Sequence, residues 1–347
     1  MICYNNIEYA HIKFETFREF EKPKISVIIT LYNQKIYILK IYYCILNQSL
    51  KEIEIIFIDD ASTDNSILII ERLMEKDKRI KYLKNKINKG QFHSRNKGAI
   101  FSKGEYILII DPDDLLLNNI LIKSYKFAKK YNLDIVQFYH FIGDFNKYNL
   151  FVINKNSGIY FQPETNKIFF EYEIRYLWDK LIRRRIFIMS IFLMKKKYKN
   201  ERFIIHNDDI VCFGLFKSAY SYGQIEEIGY FYNRGIVNST TKKNFLPENI
   251  NGRFHSLFAI MDYYYEQSKY NEYEKNKGGY RFFVYRIIRK YKKKIALLTD
   301  GFDYINSVLR KYINSPFFNS KQKKLLRRID LLILKRKLIN QSFTMRI

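Results

Sequence analysis

The sequence predicts an α/β fold: a Rossmann-like, mostly parallel sheet with helices on both faces. Three observations carry that reading. Short runs rich in β-branched residues are apolar almost throughout, the stretches between them show helical spacing, and polar turn residues follow several of the runs. A strand covered on both faces has no solvent side, so it loses the polar–apolar alternation of a half-exposed strand.

Taken in order, the strand candidates are "KISVIIT" (24–30), "IEIIFID" (53–59), "IKYLK" (80–84), "EYILII" (105–110) and "DIVQFY" (134–139). Ile38, Ile41 and Ile45 share one helical face between the first two strands, as do Ile67, Ile70, Leu73 and Met74 after the second. Ligands of such sheets bind beyond the carboxyl ends of the strands. Those ends read Thr30-Leu31-Tyr32-Asn33, Asp59-Asp60-Ala61-Ser62 and Asp111-Pro112-Asp113-Asp114. Past about residue 141 the alternation fades into a helical patch around Trp178 and then "IIHNDDIVCFGLFKSAYSYGQIEEIGYFYNRG". From about residue 250 the pattern is helical and basic, with Val284, Ile287, Ile288, Tyr291, Ile295 and Leu298 on one face.

The chain has 347 residues, 47% of them hydrophobic, enough for a substantial core. Its formal net charge is +26, from 61 basic against 35 acidic residues, and residues 251–347 alone hold 22 Lys and Arg against 7 acids. Such an excess suits nucleic acid, an anionic membrane surface or a phosphorylated substrate. Abundant Lys, Asn, Ile, Tyr and Phe equally fit the codon bias of an AT-rich genome. The cysteines, Cys3, Cys44 and Cys212, are widely spaced with no CxxC pair, so neither a disulfide framework nor a zinc ribbon is expected. A reducing, cytoplasmic setting follows as the expectation. No window approaches the ~18 uninterrupted apolar residues of a membrane span, and the N-terminus lacks a signal-peptide core. The expected protein is soluble or peripheral at a membrane.

One stretch runs against the overall charge. "YILIIDPDDLLL" (106–117) places Asp111, Asp113 and Asp114 directly after a buried strand. Carboxylates this close repel unless a cation or hydrogen-bond donors intervene. Hard oxygen ligands suit Mg²⁺ or Mn²⁺, held jointly with the phosphates of a nucleotide. The alternative is a solvated turn that caps a helix beginning near Asn118.

"VIITLYN", "FIDDASTDNS", "NKGQFHSRNKGAIFSKGEYILIIDPDD" and "HNDD" occur in an order and spacing that resemble the GT-A glycosyltransferases of family 2, over about residues 24–242. The resemblance implies a GT-A fold and an inverting, metal-dependent transfer of a sugar from a UDP-sugar to a hydroxyl acceptor, either a glycan or lipid-linked. It implies that Thr30, Tyr32 and Asp60 contact the nucleoside and that Arg95 and Asp111 contact the nucleotide-sugar. It further implies that Asp113, with Asp111, binds Mn²⁺ or Mg²⁺, and that Asp209 is the base deprotonating the acceptor. A salt bridge to nearby carboxylates is the structural alternative for Arg95. "WDKLIRR" and "YFYNRGIVNSTT" resemble further family segments, in which Lys180 and Arg234 are either structural or near the diphosphate.

The division expected from the resemblance is an N-terminal extension (1–23), a GT-A domain (24–245) with nucleotide-binding (24–140) and acceptor (141–245) halves, and a basic helical C-terminal region (246–347). Ser62 or Thr63 is expected to cap the helix after the second strand with Asp64 in its first turn; Asp208 is expected to be an N-cap, and Asp114 a helix-capping or supporting residue. No glycine-rich loop follows the first strand, which argues against dinucleotide binding and nucleotidyl transfer. No Gln-x-x-Arg-Trp segment is present, which argues against a processive synthase. The competing class is a non-enzymatic basic protein on a degenerate version of the fold, binding nucleic acid or a membrane surface. Acids clustered at two strand ends would repel nucleic-acid phosphate, so no nucleic acid partner is expected, whereas the basic C-terminal helices could hold an anionic membrane.

Overall fold

The computed structural model describes residues 17–117, 119–144, 148–151, 158–165, 168–169, 176–193 and 207–235, together with Ser320 and Lys324. The expected basic helical region (246–347) and most of the N-terminal extension therefore lie outside the described residues.

The first half alternates as the apolar runs require: β1 (Ile25–Leu31), α1 (Lys35–Leu46), β2 (Ile53–Asp59), α2 (Ser66–Lys76), β3 (Ile80–Lys84), α3 (Gln91–Phe101) and β4 (Tyr106–Ile110). There follow β5 (Leu115–Leu116), α4 (Ile120–Lys130), β6 (Ile135–Gly143), β7 (Tyr148–Phe151), β8 (Ile159–Phe161) and β9 (Lys180–Arg183). The last elements are α5 (Arg184–Leu193), α6 (Asn207–Ser218) and β10 (Ser221–Asn233). Among the described residues these strands form one sheet in the order β3-β2-β1-β4-β9-β6-β10-β5, with β7 on β6 and β8 on β10. β3, β2, β1 and β4 are mutually parallel. β9 then enters antiparallel between β4 and β6, and β10 lies parallel to β6.

Every residue of β1 and β2 is buried, as a doubly covered strand demands. The two side-chain parities face different helices. Val27, Ile29 and Leu31 join Ile38, Ile41 and Ile45 of α1 in one apolar cluster. Ile28 and Ile58, of the opposite parity, lie beneath Gly98 of α3, where a Cβ would come within 2.7 Å of Ile28 Cγ2. Glycine at 98 thus lets α3 settle directly on the sheet, and helices cover both faces.

Three local expectations are corrected. Asn65, in the left-handed region at φ 60°, precedes α2 without a side-chain capping bond, so neither Ser62 nor Thr63 caps that helix. Ser62 Oγ instead accepts the Asn33 N–H at 3.0 Å, and Asp64 accepts N–H groups from Lys35 (2.8 Å) and Ser66 (3.2 Å). These bonds join the turn after β1 to the turn after β2, because two neighbouring strand ends each leave unmatched donors. Helix α4 starts at Ile120, behind Asn119 at φ 63°, and Asp114 takes no part in capping it. Among the described residues no helix is long and apolar enough to cross a membrane.

Candidate active site

Because β1, β2 and β4 run parallel side by side, their carboxyl ends deliver Thr30, Asp59–Asp60 and Asp111 to one edge. Thr30 is 3% exposed, and its hydroxyl has no hydrogen-bond partner among the described residues. Tyr32, just beyond the strand, stands 49% exposed at the same edge. Asp59 is structural: its carboxylate accepts the Ser62 N–H (2.7 Å) and the Tyr82 hydroxyl (2.7 Å).

Asp60 organises the loop ahead of α3. Its carboxylate accepts from Asn85 Nδ2 (2.8 Å), the Lys89 N–H (2.8 Å) and the Gly90 N–H (2.7 Å). Gly90 can donate there because it adopts φ 87°, a conformation open to glycine and costly for other residues. Asn85 also donates to Ser94 Oγ at 2.9 Å, which seats the first turn of α3.

One turn further on, Arg95 is 2% exposed and bridges two carboxylates: Nη2 donates to Asp111 Oδ1 at 2.8 Å and Nη1 to Asp208 Oδ1 at 2.5 Å. The structural alternative for this arginine is the arrangement seen, and it ties the end of β4 to the start of α6. Burial disfavours the charged guanidinium, but the two carboxylates outweigh it and raise its proton affinity. Asp208 is therefore not a helix cap; it lies inside the first turn of α6 and reaches across to Arg95.

The acidic turn divides its labour. Asp114 is 1% exposed and accepts the Tyr230 hydroxyl (2.8 Å) and the Asn233 N–H (2.8 Å), while Tyr230 in turn accepts the Asp111 N–H (3.1 Å). Burial, followed by the charges of Asp113 and Asp111, pushes the Asp114 carboxyl well above the usual range. Asp113 is half-buried, and burial with the neighbouring Asp111 charge raises it to about 6. Behind the turn, Trp178 stacks on Tyr230 (centroids 4.6 Å, interplanar 14°) and on Tyr176 (4.6 Å, 22°).

On α6, Asp209 sits next to Asp208 and is 2% exposed. Lys180 is fully buried, donating to Asp179 at 2.5 Å and to the Tyr176 carbonyl, so it supports the interior and does not face the open edge. Arg234 is exposed at the end of β10, its N–H on the Gly143 carbonyl.

The model of the family "Glycosyl transferase family 2" matches residues 26–195. An uncharacterised glycosyltransferase of Methanocaldococcus jannaschii is 31% identical over 233 residues, covering 65% of this chain and 77% of that protein. The chain belongs to glycosyl transferase family 2. A second relative, an uncharacterised glycosyltransferase of Haemophilus influenzae, is 40% identical over 111 residues, 32% of this chain and 44% of its own length. This family 2 chain spans about half the length of several curated relatives it matches. A solved structure of S. aureus TarS 1–349 in complex with UDP-GlcNAc shares the fold at TM-score 0.66 and 16% identity, over 90% of this chain and 88% of that one. The expected α/β fold of GT-A type is thereby borne out.

Within this family 2 domain, the residues that reading the sequence missed are those that complete the site from a distance: Asn85, Tyr230 and Asn233. The polar residues amid β10 offered the available hint. Among the described residues no group of three or more His, Cys, Asp or Glu side chains is arranged as a metal site. Asp111 and Asp113 do supply two adjacent hard-oxygen carboxylates, and burial, followed by the Asp111 charge, raises the proton affinity of Asp113. Mg²⁺ or Mn²⁺ held together with a diphosphate needs one or two protein carboxylates, so the pair fits such an ion.

Proposed function

We propose that this chain is an inverting glycosyltransferase that moves a sugar from a UDP-sugar to a hydroxyl acceptor, with Asp209 as the base. The observation that carries the reading is the convergence on one edge of Thr30, Tyr32 and Asp60 with Asp111, and the Arg95 bridge that draws the first turn of α6 to the same place. The UDP-GlcNAc named in the TarS complex supports a UDP-sugar as donor.

In this reading Thr30, with its buried and unmatched hydroxyl, and Tyr32 meet the nucleoside, and Asp60 fixes the loop that walls the nucleoside site. Asp111 and Asp113 hold a divalent cation, Mn²⁺ or Mg²⁺, which when bound offsets negative charge on the diphosphate leaving group. Arg95 acts by positioning Asp111 and Asp208. Of the two acids on α6, Asp208 is committed to the guanidinium, and protonating it would break a 2.5 Å charge-assisted bond. Asp209 takes the proton of the acceptor hydroxyl as the hydroxyl oxygen attacks the anomeric carbon from the face opposite the departing UDP.

The test is UDP release from a panel of nucleotide-sugars with Mn²⁺ and candidate hydroxyl acceptors. Asp209→Asn is expected to lower kcat by roughly 10²–10⁴-fold, the usual range for a general base, with donor KM little changed. A panel in which no nucleotide-sugar is bound or turned over would sink the proposal. Full activity of Asp113→Ala, or in excess EDTA, would remove the metal from it.

A further inference from the structure

We propose that Gln91 is a positioning residue of the sugar-donor site: from the start of α3 it joins Arg95 in holding the Asp111 carboxylate, so that the second oxygen, Oδ2, is presented to a divalent cation. This role rests on the sugar-transfer reading. Gln91 and Arg95 lie four residues apart on α3, and side chains at that spacing share a helix face. Both donate to the same atom, Gln91 Nε2 to Asp111 Oδ1 at 3.3 Å and Arg95 Nη2 to Asp111 Oδ1 at 2.8 Å. Asp111 Oδ2 accepts no hydrogen bond from a described residue, and the side chain is 16% exposed, so Oδ2 is the oxygen left for a ligand.

The two donors differ in setting, and the difference separates their roles. Arg95 is buried and shared with Asp208, so the fold depends on it. Gln91 is exposed. A surface hydrogen bond of 3.3 Å barely outweighs the rotamer entropy lost in making it, so it adds little to stability. What it adds is orientation. A carboxylate held by one hydrogen bond at one oxygen can pivot about that contact, whereas a second donor, reaching the same oxygen from the solvent side, fixes its plane. The frame around the pair is already set: the Asp111 N–H donates to the Tyr230 hydroxyl at 3.1 Å, and the N–H of Gly90, just ahead of Gln91, donates to Asp60 at 2.7 Å. A carboxylate binds a cation best when its other contacts are in place before the ion arrives, and removing such an outer contact lowers metal affinity about 10–100-fold. Arg95 remains on Oδ1 when Gln91 is replaced, so the lower end of that range applies.

Binding, measured apart from turnover, tests the role. UDP is titrated calorimetrically into full-length protein with Mn²⁺ and again in EDTA, and thermal melts are run in EDTA. Gln91→Met keeps the length of the side chain and removes its donor. It is expected to weaken Mn²⁺-dependent UDP binding about tenfold, with the melting temperature unchanged. Undiminished binding by Gln91→Met overturns the role of Gln91 and leaves the sugar-transfer reading standing. An equal loss for UDP in EDTA also overturns it, because Gln91 would then touch the nucleotide itself and not act through Asp111 and a cation. So does a loss matched by a lower melting temperature, which would make the contact a structural one. Wild-type protein that binds no UDP with Mn²⁺ would remove the UDP-sugar reading, and the role of Gln91 with it.

Discussion

Arg95 offers the sharpest test of how the edge is held together. The side chain is 2% exposed and neutralises Asp111 and Asp208, whose own side chains are 16% and 21% exposed. Arg95→Met keeps most of the apolar volume and leaves two carboxylates facing each other. Removing one partner of a buried ion pair costs about 3–5 kcal/mol; because water reaches both acids, the lower end, about 3 kcal/mol, is expected. Urea unfolding monitored by circular dichroism reads this as a lower midpoint at unchanged slope. The pH dependence follows from the same geometry. Burial already raises the Asp208 carboxyl and the Arg95 charge opposes that rise; without the guanidinium it lies further above its unfolded value, so the folded protein binds more protons and the loss of stability grows as pH rises through the raised value. The deficit should be largest near pH 8 and shrink toward pH 4. Adding Asp208→Asn to Arg95→Met should restore more than half of it by relieving the repulsion. A deficit below about 1 kcal/mol, or a double variant no better than Arg95→Met, would refute the bridge as a stabilising element.

Other perturbations follow from individual contacts. In metal-free protein, Asp113→Asn is expected to stabilise at pH 8: the carboxyl is raised to about 6, so its favourable contribution is present at low pH and lost as pH climbs from ~4 through 6, amounting to at most about 3 kcal/mol. Thermal melts in EDTA across that range check this, and a wild-type-to-variant difference that stays flat with pH would contradict it. Asp60→Ala removes the acceptor of three donors and should cost about 2–4 kcal/mol, with faster hydrogen exchange at Lys89 and Gly90; unchanged protection there would count against the loop assignment. Gly98→Ala places a methyl 2.7 Å from Ile28 Cγ2 and should cost about 1–3 kcal/mol, partly recovered by Ile28→Ala; a neutral Gly98→Ala would show that α3 can lift from the sheet.

Legibility in the sequence tracked how locally each feature is determined. β1 and β2 bury every residue, so continuous apolar runs announced them directly. β9 carries no comparable signal: Lys180–Arg183 is four residues, two of them basic, and it becomes a strand because β4 and β6 offer open edges on either side. β10 was equally obscure, since its bulged pairing with β6 breaks any simple period. The site divides in the same way. Carboxylates after an apolar strand stand out because they violate the local pattern, and so Asp60, Asp111 and Asp113 were found as candidates. What neutralises them does not stand out. Asp114 resembles a helix cap until Tyr230 and Asn233, 116 and 119 residues away, arrive on its oxygens. Arg95 lies 16 residues from Asp111, within reach of local reasoning, but 113 from Asp208. A buried charge is visible where it is encoded, whereas its compensation comes from wherever the fold brings a donor. Asp113, half-buried, is raised to about 6 by burial and then by the neighbouring Asp111 charge. In the proposed reading, that unfavourable charge is what a divalent cation arriving with the diphosphate would offset.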